Sequence, residues 1–194
     1  MFPDRIRAFV AVRLNAEVED EIAKFVQPLR ELPSGIRWVR LANLHLTLRF
    51  LGNAVYSNLL SLLDQHLNQI AKQTLPFALQ ARGIGAFPNL QRPRTIWIGL
   101  VAEHLTQLVR QVEAAAERAG FAPERRLYAP HLTIGRVRDL QGWQQIRQAL
   151  GPSTNRDFGT APVSEMVLYR STLGRETSRY NALARYRLAG GVEA

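Results

Sequence analysis

The chain has no cysteine. Disulfides, thiolate nucleophiles and cysteine-based zinc sites are thereby excluded. Lysine is almost as scarce: Lys24 and Lys72 are the only two, yet the formal net charge is +9. Arginine therefore carries the positive charge, and its planar fork of donors matches pairs of phosphate oxygens. A genome rich in arginine codons explains the choice of arginine over lysine, but not the excess of charge. That excess favours a polyanionic partner, a nucleotide or a nucleic acid. No apolar run is long enough to cross a membrane. The opening MFPDRIRAFVAVRL lacks the charged and apolar regions of a secretory signal and reads as the first strand of a soluble, cytoplasmic protein. Histidine is rare too, with four in all, so their positions are informative.

Two of the four share one context. His45-Leu46-Thr47-Leu48 returns as His131-Leu132-Thr133-Ile134. In a strand, residues i and i+2 share a face. Leu44, Leu46, Leu48 and Phe50 then line one face of the first copy, with His45 and Thr47 on the other. In the second copy Leu132 and Ile134 point inward, and His131 and Thr133 share the opposite side. Each copy predicts a half-buried strand that presents an imidazole and a hydroxyl together. His66 borders the leucine stripe of a helix and reads as structural. His104 stands at a helix start with no companion motif.

The surrounding pattern repeats as well. Residues 6–13 predict a strand. A helix follows, capped by Asn15, striped by Val18, Ile22, Phe25, Val26 and Leu29, and cut short by Pro28. The first motif strand spans 43–51 and closes at Gly52-Asn53. Ser57 caps the next helix, whose stripe includes Leu60, Leu63 and Leu67. A strand over 75–81 is broken by Gly83 and Gly85. A proline-interrupted basic loop, 87–94, leads into a second round: strand 95–100, the helix of Leu105, Leu108, Val109 and Val112, the motif strand 128–137, and a short helix around Trp143 and Ile146. A polar loop, 153–160, precedes strands 163–170 and 180–188, which join through Gly174, and the Gly190-Gly191 tail is expected to fray.

A gapless shift of 86 residues lays Val10 on Ile96, His45 on His131, Thr47 on Thr133 and Pro76 on Pro162. The expected fold is α+β: duplicated β-α-β-α-β halves, about 5–85 and 92–190, related by a pseudo-two-fold axis. Two antiparallel sheets line a central cleft, with helices outside, in one bilobal domain over 1–194. The axis sets the His-Thr strands opposite each other with both imidazoles facing inward.

Two imidazoles flanking one substrate suit a displacement that needs a base for the nucleophile and an acid for the leaving group. The hydroxyls of Thr47 and Thr133 can donate to a central anion, and a phosphodiester fits that description. Arg136 is a source of charge just beyond the second motif, although strict alternation turns it away from His131. Arg49, in phase with His45 and Thr47, is another. No metal is expected: threonine is a poor ligand, and no acidic residue accompanies either motif at ligand spacing.

The segments RAFVAVRL, NLHLTLRFLG, RLYAPHLTIGR and VLYRSTLGRETSRYNAL resemble the two-histidine phosphoesterases, and within them the bacterial and archaeal RNA 2′,3′-cyclic phosphodiesterases, also called 2′-5′ RNA ligases. The resemblance covers almost the whole chain. It implies hydrolysis of a 2′,3′-cyclic phosphate RNA end to a 2′-phosphomonoester, with no metal or cofactor. His131 is then the base that activates water, and His45 the acid that protonates the departing 3′-oxygen. Thr47, Thr133 and Arg136 hold the non-bridging oxygens. Run backwards, the same chemistry joins a cyclic end to a 5′-hydroxyl. RNA is the implied partner. The expected mode is stacking on Phe9, Tyr128 or Trp38, with phosphate contacts from Arg49, Arg94 or the loop residues Arg92 and Arg156. No protein partner is implied, and a monomer is expected. Two alternatives stay open. The same site can serve small cyclic nucleotides or an ADP-ribose cyclic phosphate, or the chain can be a non-catalytic RNA-end binding module.

Overall fold

The computed structural model describes residues 2, 4–174 and 178–189. Strand β1 (Ile6–Val12) is almost entirely buried because it is covered on both faces and both edges. Its antiparallel neighbours are β3 (Leu46–Val55) and β8 (Glu165–Thr172), and β9 (Arg179–Arg187) closes that side. The other side runs β6 (His131–Val137), β5 (Thr95–Val101), β4 (Phe77–Phe87) and β7 (Asp157–Val163). The order along the sheet is β7-β4-β5-β6-β3-β1-β8-β9, with the short β2 (Ile36–Trp38) paired to β6. Two antiparallel halves of four strands thus meet at β3 and β6, through a single residue pair, Leu46 with Leu132.

This is the α+β fold with duplicated halves that the sequence predicts. Its strands are also exchanged. β4, from the first repeat, sits with β5 and β6; β8, from the second, sits with β1 and β3. The halves of the sheet are therefore not the two sequence repeats. The first repeat lends β4 to the other side and the second lends β8 with β9, which ties them together.

The helices α1 (Ala16–Glu31), α2 (Ser57–Gln73), α3 (Leu105–Arg118) and α4 (Trp143–Leu150) bury their apolar stripes in one core with Val10, Val12, Leu46, Leu48, Ile96, Ile98, Leu132 and Ile134. Each such side chain taken out of water contributes about 1.5–3 kcal/mol. A small second cluster of Phe9, Ala11, Val167 and Tyr169 lies on the face turned away from the helices. That face carries the motifs. No described helix is long and apolar enough to cross a membrane.

Several local expectations change. α1 continues past Pro28 to Glu31, since the proline lies in the last turn and costs a single backbone bond. Asn15 holds the cap position of α1 without a side-chain capping bond. For α2 the cap comes from elsewhere: Asp4 Oδ1 accepts the Ser57 backbone N–H at 3.0 Å. β3 passes through Gly52 and ends at Val55, and β4 runs on through Gly83 and Gly85. The polar stretch 153–160 supplies the start of β7. The Gly190-Gly191 tail, and residues 175–177 between β8 and β9, lie outside the described residues.

Candidate active site

His45 immediately precedes β3, and His131 opens β6. The motif strands lie side by side rather than facing each other across a gap. Extending the Leu46–Leu132 register by one residue each way sets His45 beside Thr133 and Thr47 beside His131. The two histidines are then diagonal neighbours, about 7–8 Å apart in a regular antiparallel pair, which leaves room for a phosphate between the rings.

Both imidazoles are oriented in the same way. His45 Nδ1 meets the Asn43 carbonyl at 2.7 Å, and His131 Nδ1 meets the Ala129 carbonyl at 2.7 Å. A carbonyl only accepts, so Nδ1 carries the hydrogen in each ring and Nε2 is left for acid–base chemistry. Asn43 and Ala129 are themselves 86 residues apart, so the duplication extends to the groups that fix the tautomers.

The surroundings of the two rings differ. His45 packs against Phe9, with centroids 4.8 Å apart, and edge-on to Tyr180 at 5.1 Å. Phe9 is 4% exposed and Tyr169, stacked behind it, 8%, so this side is sealed. His131 has the half-buried Phe87 edge-on at 4.9 Å, with Trp97 beyond it. Burial pushes the His45 pKa down to about 4. The Asn43 bond works against that shift, while the charges of Arg136, Arg13 and His131 reinforce it. The free protein therefore holds His45 neutral near pH 7.

Two β-bulges decide which arginine reaches this face. In the β1–β3 ladder Val10 pairs with Arg49 but Ala11 pairs with Thr47, so Leu48 is an extra residue. In the β5–β6 ladder Ile96 pairs with Gly135 but Trp97 pairs with Thr133, so Ile134 is the extra one. Leu48 and Ile134 are again 86 residues apart. Each bulge inverts the alternation beyond it. Arg136, opposite Thr95, is thereby turned onto the motif face. Arg49, opposite Val10, is turned to the helix side, where it is 7% exposed. There its Nε lies 3.2 Å from Glu113 Oε2 and its Nη1 3.5 Å from Glu124 Oε2, and its Nη2 donates to the Ala122 carbonyl. The expectation that Arg49 contacts substrate is corrected accordingly.

The remaining candidates divide. Tyr128 reaches the site: its hydroxyl donates to the Thr47 carbonyl at 3.0 Å, and burial pushes its pKa up. Phe9 supports His45 and has too little exposed surface to stack on a base, which corrects that assignment. Trp38 pairs with Gly135 at the edge of β6, its ring packed over that glycine. Arg94 is exposed where β5 begins, its backbone bonded to Phe87 and Val137. Arg92 is exposed in the preceding loop. Arg156 lies over Phe25 and Phe158, on the α1 side of the sheet and away from the motifs. Arg37, which pairs with Arg136 across β2 and β6, adds a cation that the sequence pattern does not mark. Its strand is only three residues long, too short for alternation to show. Among the described residues no group of three or more His, Asp or Glu stands where it would hold a metal ion.

The arrangement can bind an anion, place one imidazole on each side of it and supply a guanidinium from Arg136. The chain is similar to known phosphoesterases over most of its length. The sequence profile of the LigT-like phosphoesterase family matches the chain twice, over residues 12–97 and 98–180. An RNA 2′,3′-cyclic phosphodiesterase of Methanothermobacter thermautotrophicus is 31% identical over 189 residues, covering 95% of this chain and 100% of the relative. Among solved structures, a protein of Thermus thermophilus superposes with a TM-score of 0.78 at 28% identity, covering 95% of this chain and 98% of that one. Escherichia coli LigT complexed with 3′-AMP superposes with a TM-score of 0.75 at 27% identity, with the same coverage of 95% and 98%.

Proposed function

The chain belongs to the LigT-like phosphoesterase family, and from that premise we propose that it hydrolyses RNA 2′,3′-cyclic phosphate ends to 2′-phosphomonoesters by metal-independent acid–base catalysis. The observation that carries this reading is the pair of Nδ1-anchored imidazoles, each beside the threonine of the other motif. The chain's relatives named RNA 2′,3′-cyclic phosphodiesterase support the choice of substrate.

The cyclic phosphate sits between the rings, its non-bridging oxygens held by Thr47, Thr133 and Arg136. His131 Nε2 takes a proton from water as the water oxygen attacks phosphorus in line. The bond from phosphorus to the 3′-oxygen breaks, and His45 Nε2 gives that oxygen its proton. The phosphate stays on the 2′-oxygen. Each imidazole is worth about a hundred- to ten-thousandfold in rate. With a 5′-hydroxyl in place of water, the same displacement at phosphorus forms a 2′-5′ linkage, and hydrolysis dominates in water. Both repeats act as one catalytic unit, since each supplies one His-Thr pair.

Product analysis of a cyclic-phosphate oligonucleotide in the presence of a chelator tests this. The expected product carries phosphate on the 2′-oxygen, at a rate the chelator leaves unchanged. Phosphate on the 3′-oxygen, or no turnover, would sink the proposal.

A pH dependence follows. The reaction needs one protonated and one neutral imidazole. His45 is the ring that must carry the proton, and in the free protein burial holds its pKa near 4. The pH profile of kcat/KM, which reports the free protein, should therefore break near pH 4. A bound phosphate anion offsets the charge of Arg136 and favours protonated His45. The corresponding break in kcat should therefore lie at higher pH than that in kcat/KM. Coincident breaks would count against it.

A further inference from the structure

Between α3 and β6 the chain crosses the rim of the site in a segment that buries almost nothing. Residues 122–129 are all exposed, and Leu127 is 98% exposed. Such a stretch has no core of its own and is ordinarily mobile. Here it is fastened at three points. Buried Arg49 reaches from β3 to the Ala122 carbonyl and to the Glu124 carboxylate. Glu113 Oε1, on α3, accepts the Glu124 backbone N–H at 2.8 Å. Tyr128 donates to the Thr47 carbonyl, inside the first motif.

A buried guanidinium is costly unless its partners are well placed. Arg49 Nε pairs with Glu113 on α3, and both of its Nη atoms serve the exposed segment, so part of what is gained is the position of that segment. The side chains it displays are Arg125, Arg126 and Leu127, directly before Tyr128 and four to six residues before His131. The one acidic residue among them, Glu124, is already paired with Arg49. The Arg126 backbone N–H donates to Glu124 Oε1 at 3.1 Å, but among the described residues neither the Arg125 nor the Arg126 guanidinium pairs with a carboxylate. A single exposed leucine is ordinary. A leucine set between two arginines and a tyrosine, in a segment fastened on both sides of it at the edge of a phosphoryl site, has the chemistry of a contact for single-stranded nucleic acid. Guanidiniums meet backbone phosphates, and the apolar side chain lies against a base or ribose.

We propose that segment 122–128 is an RNA-docking arm that holds the nucleotides upstream of the cyclic end, with Arg125 and Arg126 on phosphates and Leu127 against a base. The inference rests on the proposed function, and it makes that site selective for oligonucleotides over mononucleotides.

The test compares a nucleoside 2′,3′-cyclic phosphate with a decamer bearing the same end, in the wild type and in the variant R125A/R126A/L127S. The wild type should show at least tenfold higher kcat/KM on the decamer, through KM. The variant should lose that advantage and keep its mononucleotide rate within about twofold. With about 0.7 of salt slope per single-strand phosphate contact, the variant's dependence of log KM on log salt should be shallower by about 1.4. Equal kcat/KM on both substrates in the wild type, or an undiminished preference in the variant, overturns the arm while leaving the chemistry standing. Binding of a labelled decamer ending in 2′-phosphate, followed by anisotropy, reads the arm without turnover. There the variant should bind at least tenfold more weakly, and equal affinity overturns the proposal. If neither substrate turns over in the wild type, the proposed function fails and the anisotropy result alone decides the arm.

Discussion

His45→Ala and His131→Ala should each lower kcat on cyclic-phosphate RNA by about a thousandfold, within the range for loss of a positioned acid or base. The double variant should be little worse than either single one, because the two rings act as a unit. Neither substitution should unfold the protein. Both rings lie on the face turned from the helices, outside the main core. The price of losing His45 is a gap beside Phe9 and Tyr180, and of losing His131 a gap beside Phe87. Circular dichroism and melting temperature control for this. The two variants are distinguishable. A substrate with a better leaving group than the 3′-oxygen should rescue His45→Ala, which lacks the acid, and should not rescue His131→Ala, which lacks the base. Rescue of the other variant would exchange the two roles. Activity within about tenfold of wild type in both would dismiss the two-histidine mechanism.

Much of this site is legible in the sequence because its motif is short and local. A histidine and a threonine two residues apart share a face by the geometry of a strand, and the second copy marks the pairing. What alternation does not reveal is where it stops. Leu48 and Ile134 look like ordinary inward-facing residues, yet each is the extra residue of a bulge. Beyond them the faces exchange, so Arg49 and Arg136 stand opposite to where a regular strand puts them. The bulge resolves the difficulty over Arg136 and removes Arg49 from the substrate side. The exchange of β4 and β8 between the halves is hidden for a related reason. β4 pairs only with strands of the second repeat and β8 joins β1 of the first, and pairing between distant segments leaves no periodic trace. Phe9 is misjudged because an aromatic residue in the first strand has the same signature whether it meets a base or a histidine ring.

The duplication also explains how near-identical motifs acquire different environments. The backbone acceptors, the bulges and the hydroxyls repeat at the same interval. The packing residues do not. Phe9 corresponds to Thr95 under the shift, and Arg49 to Gly135. His45 is sealed by aromatic rings and held neutral, while His131 borders the exposed segment that Arg49 fastens. The two motifs thus differ in their neighbours rather than in their own residues.

Arg49→Leu should show how much rests on that fastening. The substitution removes a cation from two carboxylates and a carbonyl at once. Breaking a buried ion pair from one side costs about 3–5 kcal/mol. Glu113 and Glu124 keep partial access to water, with side chains 23% and 45% exposed, so the lower end, about 3 kcal/mol, is expected. For a chain of this size that lowers Tm by about 6–12 °C. Arg49→Lys keeps the charge but loses the fork, and should recover less than half of the loss. Arg49→Leu with Glu113→Gln removes the stranded charge as well and should restore most of the stability. Activity should not return with it. Segment 122–128 stays unfastened in both, Tyr128 loosens from Thr47, and His131 loses its fixed approach to the first motif. We expect kcat to remain about tenfold down in the double variant after the melting temperature has recovered. The advantage of a decamer over a mononucleotide should be lost along with it. Recovery of kcat in step with stability would reduce Arg49 to a core ion pair and remove its positioning role.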